Sequence, residues 1–140
     1  MKVGRELDAL VAEEGIGLPK VEWNKETPCP YCGSEMHYLV ARAWCSVCSE
    51  WRYGPHKEYS EDIAPAWEVH KVACGWIFSQ RREYLHALQQ VVSGRLSLES
   101  PHKLVAWPDV LVFLEPVDIC LAVLVVKGID IDAVDVPLRP

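Results

Sequence analysis

Four of the six cysteines fall into two Cys-x-x-Cys pairs, Cys29/Cys32 and Cys45/Cys48, with twelve residues between the pairs and Gly33 directly after the first. Thiolates are soft, polarisable ligands, and each pair spans a single turn, so both pairs can face one ion. The intervening residues suffice for two short strands and a reversal. The pattern predicts a tetrahedral Zn2+ site inside a zinc ribbon over residues 28–55. Four sulfurs fill the coordination sphere and leave no position for water or substrate, so the zinc is expected to be structural and to perform no chemistry.

Two other chemistries share parts of this pattern. Cys29-Pro30-Tyr31-Cys32 matches the redox tetrapeptide of glutaredoxins, which needs a buried strand before it and a thiolate at a helix N-terminus. The preceding Asn24-Lys25-Glu26-Thr27-Pro28 is loop-like, and redox work leaves the second pair unexplained. Zinc deaminases carry Pro-Cys-x-x-Cys with a His-x-Glu, whereas the first histidine here, His37, is followed by Tyr38 and Leu39. Cys74 and Cys120 lie in apolar surroundings and are expected to be free and buried. His37 and His56 are expected at the surface or around the metal ligands, not among them. His70 with Glu68, and His86 with Glu83, read as ordinary helix-face neighbours without a third partner. No catalytic residue is assigned, and the chain is expected not to be an enzyme.

The ribbon is dense in aromatics: Tyr31, Tyr38, Trp44, Trp51 and Tyr53. A small metal domain has little core, so these rings are expected chiefly to cover the metal site. Alternatively Tyr38, Trp44 and Trp51 form a binding face, with Arg42 and Arg52 available to phosphates if the partner is a nucleic acid. Charge argues against that partner. The net charge is −6, the widest basic cluster is Arg81-Arg82, and the ribbon's Arg42, Arg52 and Lys57 are balanced by Glu35, Glu50 and Glu58.

The elements around the ribbon follow from periodicity. Val3, Leu7, Leu10 and Val11 share a helix face with Arg5, Asp8, Glu13 and Glu14 mostly away from it, and Gly15 and Gly17 end that helix. Val21-Glu22-Trp23 is expected as strand or loop, and residues 36–44 as strand material. After Gly54-Pro55 a helix starts with Asp62 as its cap and Pro65 in the first turn. Ala66, Trp67, Val69, Val72 and Ala73 supply its apolar side, and Cys74-Gly75 stops it. Trp76-Ile77-Phe78 is expected as a buried strand and residues 82–92 as a helix, with a hairpin strand as the alternative. Residues 95–98, 103–107 and 110–114 read as strands. Pro116 and Asp118 open a helix that is apolar all round from Ile119 to Val126, hence buried, and Gly128 ends it. The acidic tail from Ile129 to Pro140 is expected to fray or to add an edge strand.

With 140 residues, 50% of them hydrophobic and 24% charged, the chain suits one compact domain plus a small insert. The expected organisation is an α/β (α+β) helix/sheet sandwich over residues 1–27 and 56–140, with the ribbon at 28–55 inserted. The most apolar run, residues 110–126, contains Glu115, Pro116 and Asp118, so no membrane span is expected. The N-terminus passes from Met1-Lys2 straight into an amphipathic pattern, which predicts a cytoplasmic protein.

Three blocks carry a likeness: residues 4–13 (GRELDALVAE), 59–69 (YSEDIAPAWEV) and 116–122 (PVDICLA) resemble the phage ABA sandwich domain family. That resemblance implies helices around a sheet and a phage or prophage origin. The inserted stretch, from Pro28-Cys29-Pro30-Tyr31-Cys32-Gly33-Ser34 through Cys45 and Cys48 to Gly54-Pro55, is similar to the zinc ribbon of the phage restriction-alleviation family. It departs by having Ser49 where a glycine usually follows the second pair. Together these imply a non-enzymatic zinc-binding accessory protein, an anti-defence or host-modulating factor that binds a host protein in the cytoplasm of the bacterial host. The alternatives are a sponge for a signalling nucleotide, for which the sequence offers no Gly-rich phosphate loop, and a zinc-ribbon nucleic-acid-binding module.

Overall fold

A computed structural model describes residues 5–96 and 106–129. Helix α1, Arg5–Leu10, continues as a π-helical turn, Val11–Gly15, in which the Ile16 amide donates to the Val11 carbonyl at 2.9 Å. Leu7, Val11 and Ala12 are buried as their spacing requires. Asp8, expected on the solvent side, is also buried, because its Oδ1 accepts from the Ser60 amide at 2.8 Å. Gly15 is where the turn meets the core: a Cβ there would lie 2.8 Å from Cγ1 of Val123. Gly17 ends the segment at φ 74°.

Residues 18–36 run as loop, so Val21-Glu22-Trp23 is not a strand. Thr27 fixes that loop, donating from Oγ1 to the Glu22 carbonyl at 2.6 Å and accepting from the Asn24 amide at 3.0 Å. The expected strand material folds back on itself as β1, His37–Leu39, and β2, Arg42–Cys45; β3, Glu50–Arg52, completes an antiparallel meander in the order β1-β2-β3. The register pairs His37 with Trp44, Leu39 with Arg42, Trp44 with Trp51 and Ala43 with Arg52. The β1–β2 reversal takes only Val40 and Ala41. Val40 sits there fully exposed at φ 53°, a region that β-branched residues avoid.

Asp62 caps α2, Ile63–Cys74, accepting from the Ala64 amide at 3.1 Å, with Pro65 in the first turn as expected. Ala66, Val69 and Ala73 face the core, but Trp67 and Val72 do not. Helix α3, Phe78–Leu96, contains the expected helix over 82–92 and begins earlier. The strand predicted at Trp76-Ile77-Phe78 does not form: Trp76 and Ile77 lie in the connection between α2 and α3, Phe78 opens α3, and Ile77 and Phe78 are 69% and 68% exposed. Three apolar residues carry no period of their own, and no strand outside the ribbon is available to pair with them among the described residues. The strand expected at 110–114 is likewise helical: α4 is Trp107–Phe113, entered through Pro108, which suits a first turn. Of the other two expected strands, Arg95 and Leu96 end α3 and Trp107 begins α4; residues 97, 98 and 103–105 lie outside the described residues, as does the tail from 130 onward.

Helix α5, Pro116–Val126, is the axis of the body. Its residues from Val117 to Leu124 are all buried, and it packs on α3, α2 and the π-helical turn. Asp118 anchors its start, accepting from the Glu115 amide at 2.8 Å and from Arg95 Nε and Nη2 at 3.1 and 2.7 Å. Gly128 closes it at φ 78°. The fold is thus mixed α+β, with helices forming the body and the three-stranded sheet lying in the ribbon. Two apolar clusters result: a large one among the helices, and a small one of Cys29, Met36, Ala43 and Cys45 backed by Trp23, Tyr31, Tyr38 and Cys48. No helix among the described residues is long and apolar enough to cross a membrane.

Candidate metal centre

The two cysteine pairs sit on two tight turns that face each other. In the first, the Gly33 amide donates to the Cys29 carbonyl at 2.8 Å and the Cys29 amide to the Ser34 carbonyl at 2.9 Å, with Gly33 at φ 75°. In the second, which follows β2, the Cys48 amide points at Cys45 Sγ from 3.4 Å. Ser49 takes the left-handed conformation, φ 56°, without being glycine, so the departure at that position does not open the turn. Serine tolerates this at a cost on the order of 1 kcal/mol.

All four Sγ atoms lie within 4.8 Å of one another, with Cys32 to Cys45 at 3.5 Å and Cys29 to Cys48 at 3.9 Å. Zn–S bonds of about 2.3 Å place tetrahedral sulfurs about 3.8 Å apart, so the cluster fits such an ion. A disulfide would need roughly 2.05 Å, and all six cysteines are free. The donor set is closed and wholly sulfur. Such a site can hold a soft or borderline metal ion and offers it no open position. Bonding to Ser34, through its side chain and then its backbone, lowers the Cys32 pKa to about 6, while bonding to Cys32 raises that of Cys48 to about 12.

Arg52, the last residue of β3, closes the inner side of the cluster. Its side chain is 7% exposed, its guanidinium carbon lies 3.9 Å from the Tyr31 ring centre, and Nη1 donates to Glu50 at 3.1 Å. Burial alone would lower its pKa, but the neighbouring Cys29 and Cys48 sulfurs raise it. Tyr31 in turn accepts the Glu58 amide at 2.8 Å, which ties the ribbon to the segment leading into α2.

The five residues considered for a binding face are divided by the strand alternation. Arg42, Trp44 and Trp51 share the outer face, where Trp44 and Trp51 meet edge-on at 5.3 Å and Arg42 lies 3.9 Å above Trp51. Tyr38 and Arg52 fall on the inner face. Tyr38 packs on Trp23 at 5.0 Å and donates to the Thr27 carbonyl at 3.0 Å, while Arg52 is unavailable to an external phosphate. His37 is exposed on β1; His56 is nearly buried away from the sulfurs, 3.8 Å from Glu13.

A cleft of about 120 Å³ separates α1 from the chain after β3, lined by Arg5, Asp8, His56, Glu58 and Glu61 among others. It is acidic in character. Burial, opposed by bonding to Ser60, raises Asp8 to about 7, and burial with the adjacent Glu61 raises Glu58.

The sequence reading missed one cluster in the body. His70 Nδ1 lies 2.6 Å from the Tyr84 hydroxyl, its Nε2 3.5 Å from Cys74 Sγ, and its ring stacks on Trp67 at 4.6 Å. The spacing of Trp67, His70 and Cys74 along one helix was readable as a shared face; Tyr84, on the next helix, was not. Comparison of the chain with protein-family models, curated proteins and solved structures gave no match.

Proposed function

We propose that this chain is a non-enzymatic accessory protein whose four cysteines hold one structural Zn2+, and whose ribbon presents a docking face to a host protein. The observation that carries the reading is the closed set of four sulfurs at tetrahedral spacing. The ion supplies cross-linking of two turns that have little core of their own, and Cys29, Cys32, Cys45 and Cys48 would hold it. Trp44, Trp51 and Arg42 are favoured as the docking face because they are rigid, outward and adjacent, the composition typical of interface anchors. The phage or prophage setting, the anti-defence role and action in the bacterial cytoplasm rest on the family resemblances.

The other readings have weaker support. The cleft beside α1 carries three carboxylates and is a poor seat for a nucleotide phosphate. A nucleic-acid face loses Arg52 to the interior and keeps Arg42 as its cation. Elemental analysis of chelator-free protein tests the metal: one zinc per chain is expected, and no metal at near-equal stoichiometry would overturn it. Pull-down from host lysate with native chain and with Trp44→Ala/Trp51→Ala tests the docking face. A partner retained equally by both would refute it.

A further inference from the structure

We infer that the outer ribbon face takes an extended, proline-bearing segment of its partner, flanked by an acidic residue and lying across the strands along His37, Trp44 and Trp51. The inference rests on the docking-face reading above and names the chemistry of what docks. The register sets those three side chains in one row, since His37 pairs with Trp44 and Trp44 with Trp51. Leu39 and Arg42 stand opposite each other in the next row, and both are exposed. Directly paired residues point to the same side of a sheet, so all five share the outer face.

The polar groups of this face are chiefly donors. An indole N–H and a guanidinium donate and cannot accept. Neither Trp44 nor Trp51 uses its N–H among the described residues. Arg42 lies 3.9 Å above Trp51, and none of the five positions is a carboxylate. In a chain of net charge −6 this is a locally cationic patch, complementary to an acidic residue. A proline-rich segment has the matching inventory: its nitrogens carry no proton, and its carbonyls in the polyproline II conformation bond to nothing internally. An α-helix has already used its carbonyls, and an added β-strand would pair at the edge of the sheet, not on its face.

Spacing agrees with that occupant. The row spans two gaps between strands, about 9.5 Å, and polyproline II repeats every three residues over about 9.3 Å, so one turn of the segment matches the row. The two indole planes are 66° apart with centres at 5.3 Å, which makes a corner and not a flat platform. A puckered proline ring fits a corner. A nucleobase stacks on a plane, and a run of phosphates needs more cations than Arg42 supplies.

The test is fluorescence anisotropy of labelled probes titrated with the full chain purified without chelator. The probes are decaproline carrying two aspartates, decaproline carrying two lysines, a glycine and serine peptide of equal length with two aspartates, and a short oligouridine. The aspartate-bearing decaproline is expected to bind about tenfold more tightly than the glycine and serine peptide, because it is already extended. Trp44→Phe keeps an aromatic ring and removes the donor, and should weaken that binding about fivefold, the scale of one hydrogen bond. Arg42→Gln should abolish the preference for aspartate over lysine. Equal affinity for the proline and the glycine and serine peptides, tighter binding of oligouridine, or a Trp44→Phe chain that binds as the native one does overturns the inference. Should a variant fail to fold, the ranking of the four probes on the native chain still decides. Decaproline that does not bind, while Trp44→Ala/Trp51→Ala loses a partner the native chain retains, sinks this inference and leaves the docking face standing.

Discussion

The hydroxyl of Tyr84 lies 2.6 Å from Nδ1 of His70 and joins α3 to α2 through a fully buried ring. Burial holds His70 below the ordinary histidine range, so the imidazole is neutral at pH 7 and needs a partner at each nitrogen. Tyr84→Phe removes one of them. It should lower the unfolding free energy by about 1–3 kcal/mol in urea titration. A change below about 0.5 kcal/mol would show that Nδ1 finds another partner.

Asp8 gives the stability an unusual slope with pH. Its folded value of about 7 lies above the ordinary 3.8, so between these values the folded chain binds more protons than the unfolded one. Its contribution is fully present below 3.8 and is lost as the pH rises through about 7. His56 and His70 act oppositely: burial depresses both below 6.5, so their contribution is present above 6.5 and lost as the pH falls. Asp8→Asn keeps an oxygen for the Ser60 amide and removes the acid. Between pH 6 and 8 the native chain should therefore lose stability relative to the variant as the pH rises, whatever slope the two histidines give to both curves. Parallel curves would refute the assignment to Asp8.

Asp118 serves two elements, capping α5 at the Glu115 amide and pairing with Arg95 of α3 while only 1% exposed. Asp118→Ala leaves a half-buried guanidinium and an uncapped amide, for which about 3–5 kcal/mol is expected. Asp118→Asn retains the cap oxygen and should cost less. Thermal melts of both variants check the order, and an equal loss would show that the charge contributes little.

Removing one ligand should act locally. Two of the four buried residues of the ribbon cluster, Cys29 and Cys45, belong to the sulfur cluster proposed to hold the ion, whereas the helical cluster contains none of its members. Cys45→Ser should leave amides of residues 28–55 exchanging freely with deuterium while those of α5 stay protected. Loss of protection across the whole chain would make body and ribbon one cooperative unit.

The four-cysteine cluster was legible because sulfur chemistry is written in residue type and local spacing. The same holds for α5, whose Pro116, Asp118 and continuous apolar run leave few alternatives, and for the Asp62 cap. Helix α4 was not, since Val110 to Leu114 is apolar without a period and only Pro108 hinted at a helix start. Arg52 failed for another reason. A strand residue faces inward or outward according to pairing register, and a shift of one position would have exchanged Trp51 with Arg52. Asp8 and His70 depend on Ser60 and Tyr84, partners distant in sequence that local pattern cannot supply.

Val40 sets the order in which the ribbon can assemble. A branched side chain at φ 53° opposes the bend between β1 and β2 by about 1–2 kcal/mol, so that hairpin is a poor nucleus for its own strands. Closure is expected to begin at the sulfurs, with the bend formed last. Val40→Gly should accordingly quicken zinc-triggered refolding seen by tryptophan fluorescence in stopped flow, and an unaltered rate would show that bending is not the slow event. With an ion held by the four sulfurs, the far tip of the ribbon would be a spring kept wound from its base.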